Sequence, residues 1–221
     1  MEKLTIESLP LYREAQKKNI QIRLNPESNT ENKSVILVCG STGCQSSKSD
    51  VIVKRFTKYF EEQGNPERYK VVKTGCFGFC EQGPIIKFFP EKIYYIHVKP
   101  EDVDEIISSH IEKGILVERL MLEEQKGQKE ISREIGIFDK QKRIVLRHNG
   151  LIDPENINEY IGIGGYSAIE KVLKTMKPES VIEELKISGL RGRGGGGYPT
   201  WLKWQNTMKA SGERKYVVCN G

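Results

Sequence analysis

Histidine is scarce in this chain, with three among 221 residues. None of His97, His110 and His148 stands at ligand spacing from a cysteine, so each reads as a surface or strand residue rather than a metal ligand. There is no apolar run approaching the length of a membrane span, which argues against direct membrane insertion. The opening MEKLTIESLPLYREAQKKN has neither an apolar h-region nor a cleavage site, so no signal peptide is expected. Apolar residues are a modest 37% and charged residues a high 29%. The net charge of +5 arises from 35 basic and 30 acidic residues mixed along the chain, which suits a solvated surface. A nucleic-acid partner would need the basic residues clustered. The five cysteines are an odd count and no pair is spaced C-x-x-C, which excludes a thioredoxin-type redox pair and fits a reducing cytosol better than a disulfide framework.

What is present is a set of four cysteines in two pairs. Cys39 and Cys44 lie in VILVCGSTGCQSS, and Cys76 and Cys80 in VVKTGCFGFCEQGP. Four residues separate the first pair, 31 separate the pairs and three separate the second. Four thiolates brought together can hold a metal centre. Structural zinc favours tighter knuckles, while the two irons of a 2Fe-2S cluster need a wider cage. The spacing is not the plant-type ferredoxin run. Iron-sulfur therefore stands ahead of zinc as the reading, with four buried unliganded thiols as the bland alternative. That alternative fits poorly, because each pair sits among Gly, Ser, Thr and Gln.

The chain divides by composition. Residues 1–33 are a leader, with a short amphipathic helix capped by Ser8 and carrying Leu11 and Ala15 on one face, then a polar linker. Residues 34–114 read as a compact α/β unit. The apolar run Val35 to Val38 predicts a buried strand ending at Cys39. Ser46 to Gln63 predicts a helix with Ile52, Phe56 and Tyr59/Phe60 at helical spacing, stopped by Gly64. Tyr69 to Lys73 is a second strand. Ile85 to Phe89 and Ile93 to Val98 form a hairpin. A helix opened by Pro100 carries Val103, Ile106, Ile107 and Ile111 and ends at Gly114. Strand, helix, strand, hairpin, helix is the order of a thioredoxin-like fold, with both cysteine pairs in loops at strand ends. Residues 115–140 show no clear period and read as a connector. Residues 141–221 predict a strand over Arg143 to Arg147, a helix capped by Asp153, a helix with a Ser167/Glu170 capping box, and a helix from Pro178.

The stretch GLRGRGGGGYPTWLKWQ is the second chemical feature. Six of the nine residues 189–197 are glycine. Such a run lets backbone amides approach a phosphate, and Arg191, Arg193 and Lys203 add positive charge. It is neither a Walker A loop nor a clean G-x-G-x-x-G after a strand. A flexible linker and an RGG-type nucleic-acid segment are the alternatives.

TGCFGFCEQGP, VKPEDV, IDPENINEYI, GGYSAIEKVL, KPESVIEELKISGLRGRGGGGYPTWLKW and KYVVCNG together resemble the NADH-binding flavoprotein subunit shared by NAD(P)-linked iron-only hydrogenases and respiratory complex I. The hydrogenase type is nearest, because there a thioredoxin-like 2Fe-2S domain precedes the flavin domain. The resemblance implies Cys39, Cys44, Cys76 and Cys80 as 2Fe-2S ligands. It implies Gly192, Arg193, Gly194 and Lys203 at FMN phosphate and ring, Asn220 as a further FMN contact, and Gly194, Gly195, Gly196 and Tyr198 facing NADH. Trp201 stands where the family has Gly, and Cys219 is not a cluster ligand. No catalytic side chain is implied. The expected architecture is α/β: a thioredoxin-like 2Fe-2S domain over 34–114 and the incomplete start of an FMN/NADH-binding domain over 141–221. The chain reads as an amino-terminal fragment, because the rest of the family's flavin site does not follow. The expected function is electron transfer within an NAD(P)H:acceptor oxidoreductase in the cytoplasm, with other hydrogenase or NADH dehydrogenase subunits as partners. A non-catalytic, zinc-stabilised interaction module is the alternative.

Overall fold

The computed structural model describes residues 4–29, 33–64, 67–127, 142–212, 214, 216 and 218. Asn220 and Cys219 lie outside the described residues. The chain forms two compact units, one of residues 7–165 and one of residues 1–6 with 166–221.

The first unit is built on a four-stranded sheet of order β2-β1-β3-β4. Its strands are β1 (Ser34–Cys39), β2 (Tyr69–Thr74), β3 (Ile86–Phe89) and β4 (Ile93–Tyr95). β1 runs parallel to β2 and antiparallel to β3. It is a continuous apolar run because it is central and covered on both faces. Alternation along it sends Ile36 and Val38 to one face, and Val35, Leu37 and Cys39 to the other.

On the first face lies the long helix of the unit. Helices α1 (Leu9–Lys17), α2 (Gln21–Leu24) and α3 (Thr42–Ser46) precede α4 (Ser49–Glu62). Ile52, Phe56 and Phe60 recur every four residues along α4 and pack with Ile36, Val38, Ile86, Phe88 and Tyr95. Gly64 follows at φ +67°, the left-handed stop that the sequence indicates. The Phe56 and Phe88 rings meet edge-on at 6.4 Å. Burying each such ring contributes roughly 1.5–3 kcal/mol.

Helix α5 (Asp102–Ile106) continues into a wider turn over Ile107–Ile111. Its Asp102 carboxylate accepts from the Lys99 amide at 2.7 Å, which caps the chain entering the helix. Val103, Ile106 and Ile107 face the core, as their spacing predicts.

Residues 116–126 belong to that core, although they lack a sequence period. Val117, Leu120 and Met121 are buried. The Ile96 amide donates to the Leu120 carbonyl at 2.8 Å, and the Tyr94 amide to the Gln125 side-chain oxygen at 2.9 Å. This segment covers the open edge of β4, whose unpaired amides would otherwise face solvent.

The leader docks on the unit it precedes. α1 packs against α6 (Ile157–Gly162), with the Tyr12 hydroxyl donating to Asn158 at 2.7 Å. Leu9 is its buried residue, whereas Leu11 is 79% exposed, so the inward face is not the one expected from Leu11 and Ala15. Arg23 and Glu159 form a buried ion pair at 2.7 Å, which Lys70 of β2 joins at 2.9 Å. The structure differs from two local expectations. Residues 143–147 form bends and turns rather than a strand. The helix after Asp153 is capped by Asn156, whose side chain accepts from the Asn158 amide at 3.0 Å.

The second unit contains α7 (Ser167–Thr175), α8 (Pro178–Ile187) and α9 (Thr200–Lys209). Ser167 is the first residue of α7 and not its cap, since the left-handed Tyr166 at φ 63° precedes it. α8 and α9 pack together across the glycine-rich loop, with the Lys186 ammonium 5.7 Å from the centre of the Trp201 ring.

Candidate metal centre

Sheet register brings the four cysteines to one end of the first unit. Cys39 ends β1 directly beside Thr74, which ends β2. The Gly40 amide donates to the Thr74 carbonyl at 2.8 Å, so Gly75 and Cys76 emerge alongside Cys39. β3 runs the opposite way and starts at this end, where the Cys39 amide donates to Ile85 at 2.9 Å. The loop from Cys76 to Ile85 therefore covers the same end. Cys44 follows from the short helix α3 that leaves β1.

The sulfurs approach in pairs. Cys39 and Cys44 Sγ lie 3.1 Å apart and are buried. Cys76 and Cys80 Sγ lie 3.5 Å apart, the first half-buried and the second exposed. Among the described residues, no three His, Cys, Asp or Glu side chains gather as ligands to one ion. Two pairs of thiolates suit a centre with two metal ions better than a single tetrahedral zinc.

The surroundings favour thiolate at Cys39 and oppose it at Cys44 and Cys80. Burial alone pushes the Cys39 thiol up, but the Ser41 amide and hydroxyl, Cys44 and the Phe77 amide bring it below its ordinary value. The Ser41 hydroxyl lies 3.5 Å from the Cys39 sulfur. Cys44 is pushed up to about 11 by burial, by its hydrogen bond with Cys39 and by neighbouring thiolate charge. Hydrogen bonding to Cys76 and its charge raise Cys80. The Gly78 amide donates to the Cys76 sulfur at 3.2 Å. Gly83 leaves the room that Cys44 occupies: a Cβ there would lie 2.8 Å from the Cys44 sulfur. Soft sulfur donors, amides aimed at them and a space kept clear for one of them fit an iron-sulfur cluster.

Sequence reasoning identified the thiols and missed Ser41, Gly78 and Gly83 as their supports. The signal for them was the same Gly and Ser content that set the pairs apart from an apolar core.

The glycine-rich loop lies in the second unit. The Thr200 amide donates to Leu190 at 3.1 Å and the Gly192 amide to Tyr198 at 2.8 Å, closing the loop at its base. Arg191 donates to the Gly197 carbonyl at 3.0 Å and so pins the loop. Open space surrounds Gly194, Gly195 and Gly196 where a Cβ would be. Arg193, Tyr198 and Lys203 are exposed, Lys203 in the first turn of α9.

Residues 26–110 match the family of the thioredoxin-like [2Fe-2S] ferredoxins. The chain is 51% identical over 81 residues to the NADP-reducing hydrogenase subunit HndC of Solidesulfovibrio fructosivorans, a match covering 37% of this chain and 16% of that protein. It is 42% identical over 77 residues to an NADH-quinone oxidoreductase subunit of Rhizobium meliloti, covering 35% of this chain and 18% of the relative. The chain thus spans under a fifth of the length of either of these two. With the 2Fe-2S ferredoxin of Clostridium pasteurianum it shares 42% identity over 79 residues, which cover 36% of this chain and 78% of that ferredoxin. Nothing in these relatives supports the zinc alternative. The strand order, the paired thiols and this match together place the chain in the thioredoxin-like [2Fe-2S] ferredoxin family.

Proposed function

We propose that this chain carries single electrons at a [2Fe-2S] cluster held by Cys39, Cys44, Cys76 and Cys80, as the electron-transfer part of an NAD(P)H:acceptor oxidoreductase. One observation carries the reading. Two thiol pairs, with sulfurs 3.1 and 3.5 Å apart within each pair, lie at the same end of a thioredoxin-like sheet in a chain of this family. When bound, the cluster supplies reversible one-electron chemistry. Cys39 and Cys44 hold it from the buried side, and Cys76 and Cys80 from the surface. Ser41 and Phe77 donate hydrogen bonds to the Cys39 sulfur, which favours its thiolate, and Gly78 donates to the Cys76 sulfur; such donors would raise the potential of a bound cluster. The exposed Cys80 gives an electron a short path to a docked partner.

The glycine loop belongs to the same reading. Its open backbone at Gly194 to Gly196 and the exposed Arg193 and Lys203 suit a phosphate-bearing cofactor. Gly192, Arg193, Gly194, Lys203 and Asn220 would serve FMN, and Gly194, Gly195, Gly196 and Tyr198 would serve NADH. When bound, FMN exchanges a hydride pair for single electrons. The relatives named as hydrogenase and NADH-quinone oxidoreductase subunits support a place in such a complex, with other subunits as partners. Among the described residues no helix is long and apolar enough to cross a membrane, and a cytoplasmic place is part of the proposal.

The test is a visible spectrum with iron and acid-labile sulfide on anaerobically purified protein. Absorption in roughly the 400–600 nm range with about two irons and two sulfides per chain is expected. A colourless protein holding one zinc would overturn the cluster reading.

A further inference from the structure

Residues 149–152 lie across the loop that carries Cys76, and the two segments are fitted by reciprocal glycines. A Cβ on Gly75 would sit 2.7 Å from the Asn149 side chain. A Cβ on Gly150 would sit 2.6 Å from the Phe77 ring. Each segment thus lacks a side chain where the other places one. Thr74 locks the fit. Its hydroxyl is buried, donates to the Ile152 carbonyl at 2.7 Å and accepts from the Gly150 amide at 3.0 Å.

Arg143, upstream of this segment, reaches the same loop. Its guanidinium donates to the Phe77 carbonyl at 3.3 Å and to the Asn149 carbonyl at 3.5 Å. The Phe77 carbonyl and the Gly78 amide are the two ends of one peptide group, and that amide donates to the Cys76 sulfur at 3.2 Å. Guanidinium, peptide and sulfur therefore form one hydrogen-bonded relay. A donor on the carbonyl polarises the peptide and strengthens the bond its N–H makes.

We infer that Arg143 is a positioning residue for the cluster, acting on Cys76 through the Phe77–Gly78 peptide, and that the Thr74-locked segment 149–152 holds it in place. Reduction adds one negative charge to the sulfur and iron atoms. A stronger donor at the Cys76 sulfur and a cation behind it stabilise the reduced state more than the oxidised state, which raises the potential. The cluster is thereby tuned by residues downstream of 34–114. This inference rests on the [2Fe-2S] reading above.

The experiment uses the full chain, anaerobically loaded with iron and sulfide, and follows reduction by dithionite through EPR against redox mediators. Arg143→Gln is expected to move the midpoint potential to a more negative value. Arg143→Lys, which keeps a cationic donor, is expected to stay nearer the wild type. Thr74→Val is expected to shift the potential in the same direction and to speed amide exchange over residues 149–152, with Thr74→Ser restoring both. A loaded Arg143→Gln protein with wild-type potential overturns the inference and leaves the cluster reading standing. A wild-type chain that takes up no cluster overturns both. If Thr74→Val fails to fold, the Arg143 pair alone decides.

Discussion

The Cys44 sulfur occupies the space that a side chain on Gly83 would need. A Cβ on Gly83 would stand 2.8 Å from that sulfur and 3.2 Å from the Cys80 carbonyl. Neither neighbour yields easily, since Cys44 is buried beside Cys39 and the Gly83 amide is bonded to that carbonyl at 3.1 Å. Gly83→Ala should therefore displace Cys44 at an overpacking cost of about 1–3 kcal/mol. Iron per chain and visible absorption are expected to fall well below wild type while the far-UV circular dichroism is kept. Full iron content in Gly83→Ala would show that Cys44 has room to move.

The two cysteine pairs differ in burial, which separates their effects in the metal-free protein. Cys44 is 3% exposed within an apolar cluster that includes Val35, Leu37, Val72 and Phe89. Cys80 is exposed. Cys44→Ser places a hydroxyl among apolar side chains and should cost about 1–3 kcal/mol if it finds no partner. Cys80→Ser should leave stability within about 0.5 kcal/mol of wild type. Urea melts of both apo proteins check this, and equal midpoints would contradict it.

Much of the cysteine-bearing unit was legible because its signals are local. The run from Val35 to Val38 announces a central strand, and Ile52, Phe56 and Phe60 announce one helix face. The thiols announce a centre by their residue type. The parts misread depend on contacts across the chain. Residues 116–126 have no period because their role is to cover the edge of β4, which only the folded sheet creates. Arg143 to Arg147 has strand-like residues, but among the described residues it pairs with no strand and forms bends and turns instead. Nothing near Arg23 signals that its partner stands at Glu159. Within the centre, the Gly and Ser content around the thiols is a signal, but only geometry picks out Ser41 and Gly78 as the donors.

His110, expected from the sequence at the surface or in a strand, is instead a buried base in the helical turn Ile107–Ile111, and should make the fold sensitive to mild acid. It lies 4.6 Å from the Phe88 ring centre and shares a 3.1 Å hydrogen bond with the Tyr95 hydroxyl. Burial lowers its pKa to about 4. In the unfolded chain a histidine titrates near ~6.5. Between these values the unfolded state binds more protons, so stability falls as pH drops from about 6.5 to about 4, by at most about 1.4 kcal/mol per pH unit. His110→Gln has no proton to gain and should flatten that slope. Chemical denaturation across this range, on both proteins, reads it out. Parallel slopes would exclude His110 as the cause.

The Arg23–Glu159 pair predicts a second, more acidic transition. Burial would raise the Glu159 carboxyl, but the Arg23 guanidinium, the Asp153 amide and Lys70 hold it down to about 2. An unfolded glutamate titrates near ~4.3. The pair's contribution is therefore complete above about pH 4.3 and is lost as pH falls towards about 2. At neutral pH, Glu159→Gln leaves the buried guanidinium without its counter-charge and should cost roughly 3–5 kcal/mol. Replacing both partners, as in Arg23→Met with Glu159→Met, removes the stranded charge and should recover much of that loss. Arg23 joins the leader to α6, and Lys70 joins α6 to β2, so the single variant should also free the leader to limited proteolysis. A Glu159→Gln protein as stable as wild type at pH 7, with residues 7–29 still protected, would mean that packing of α1 on α6 holds the leader without the ion pair.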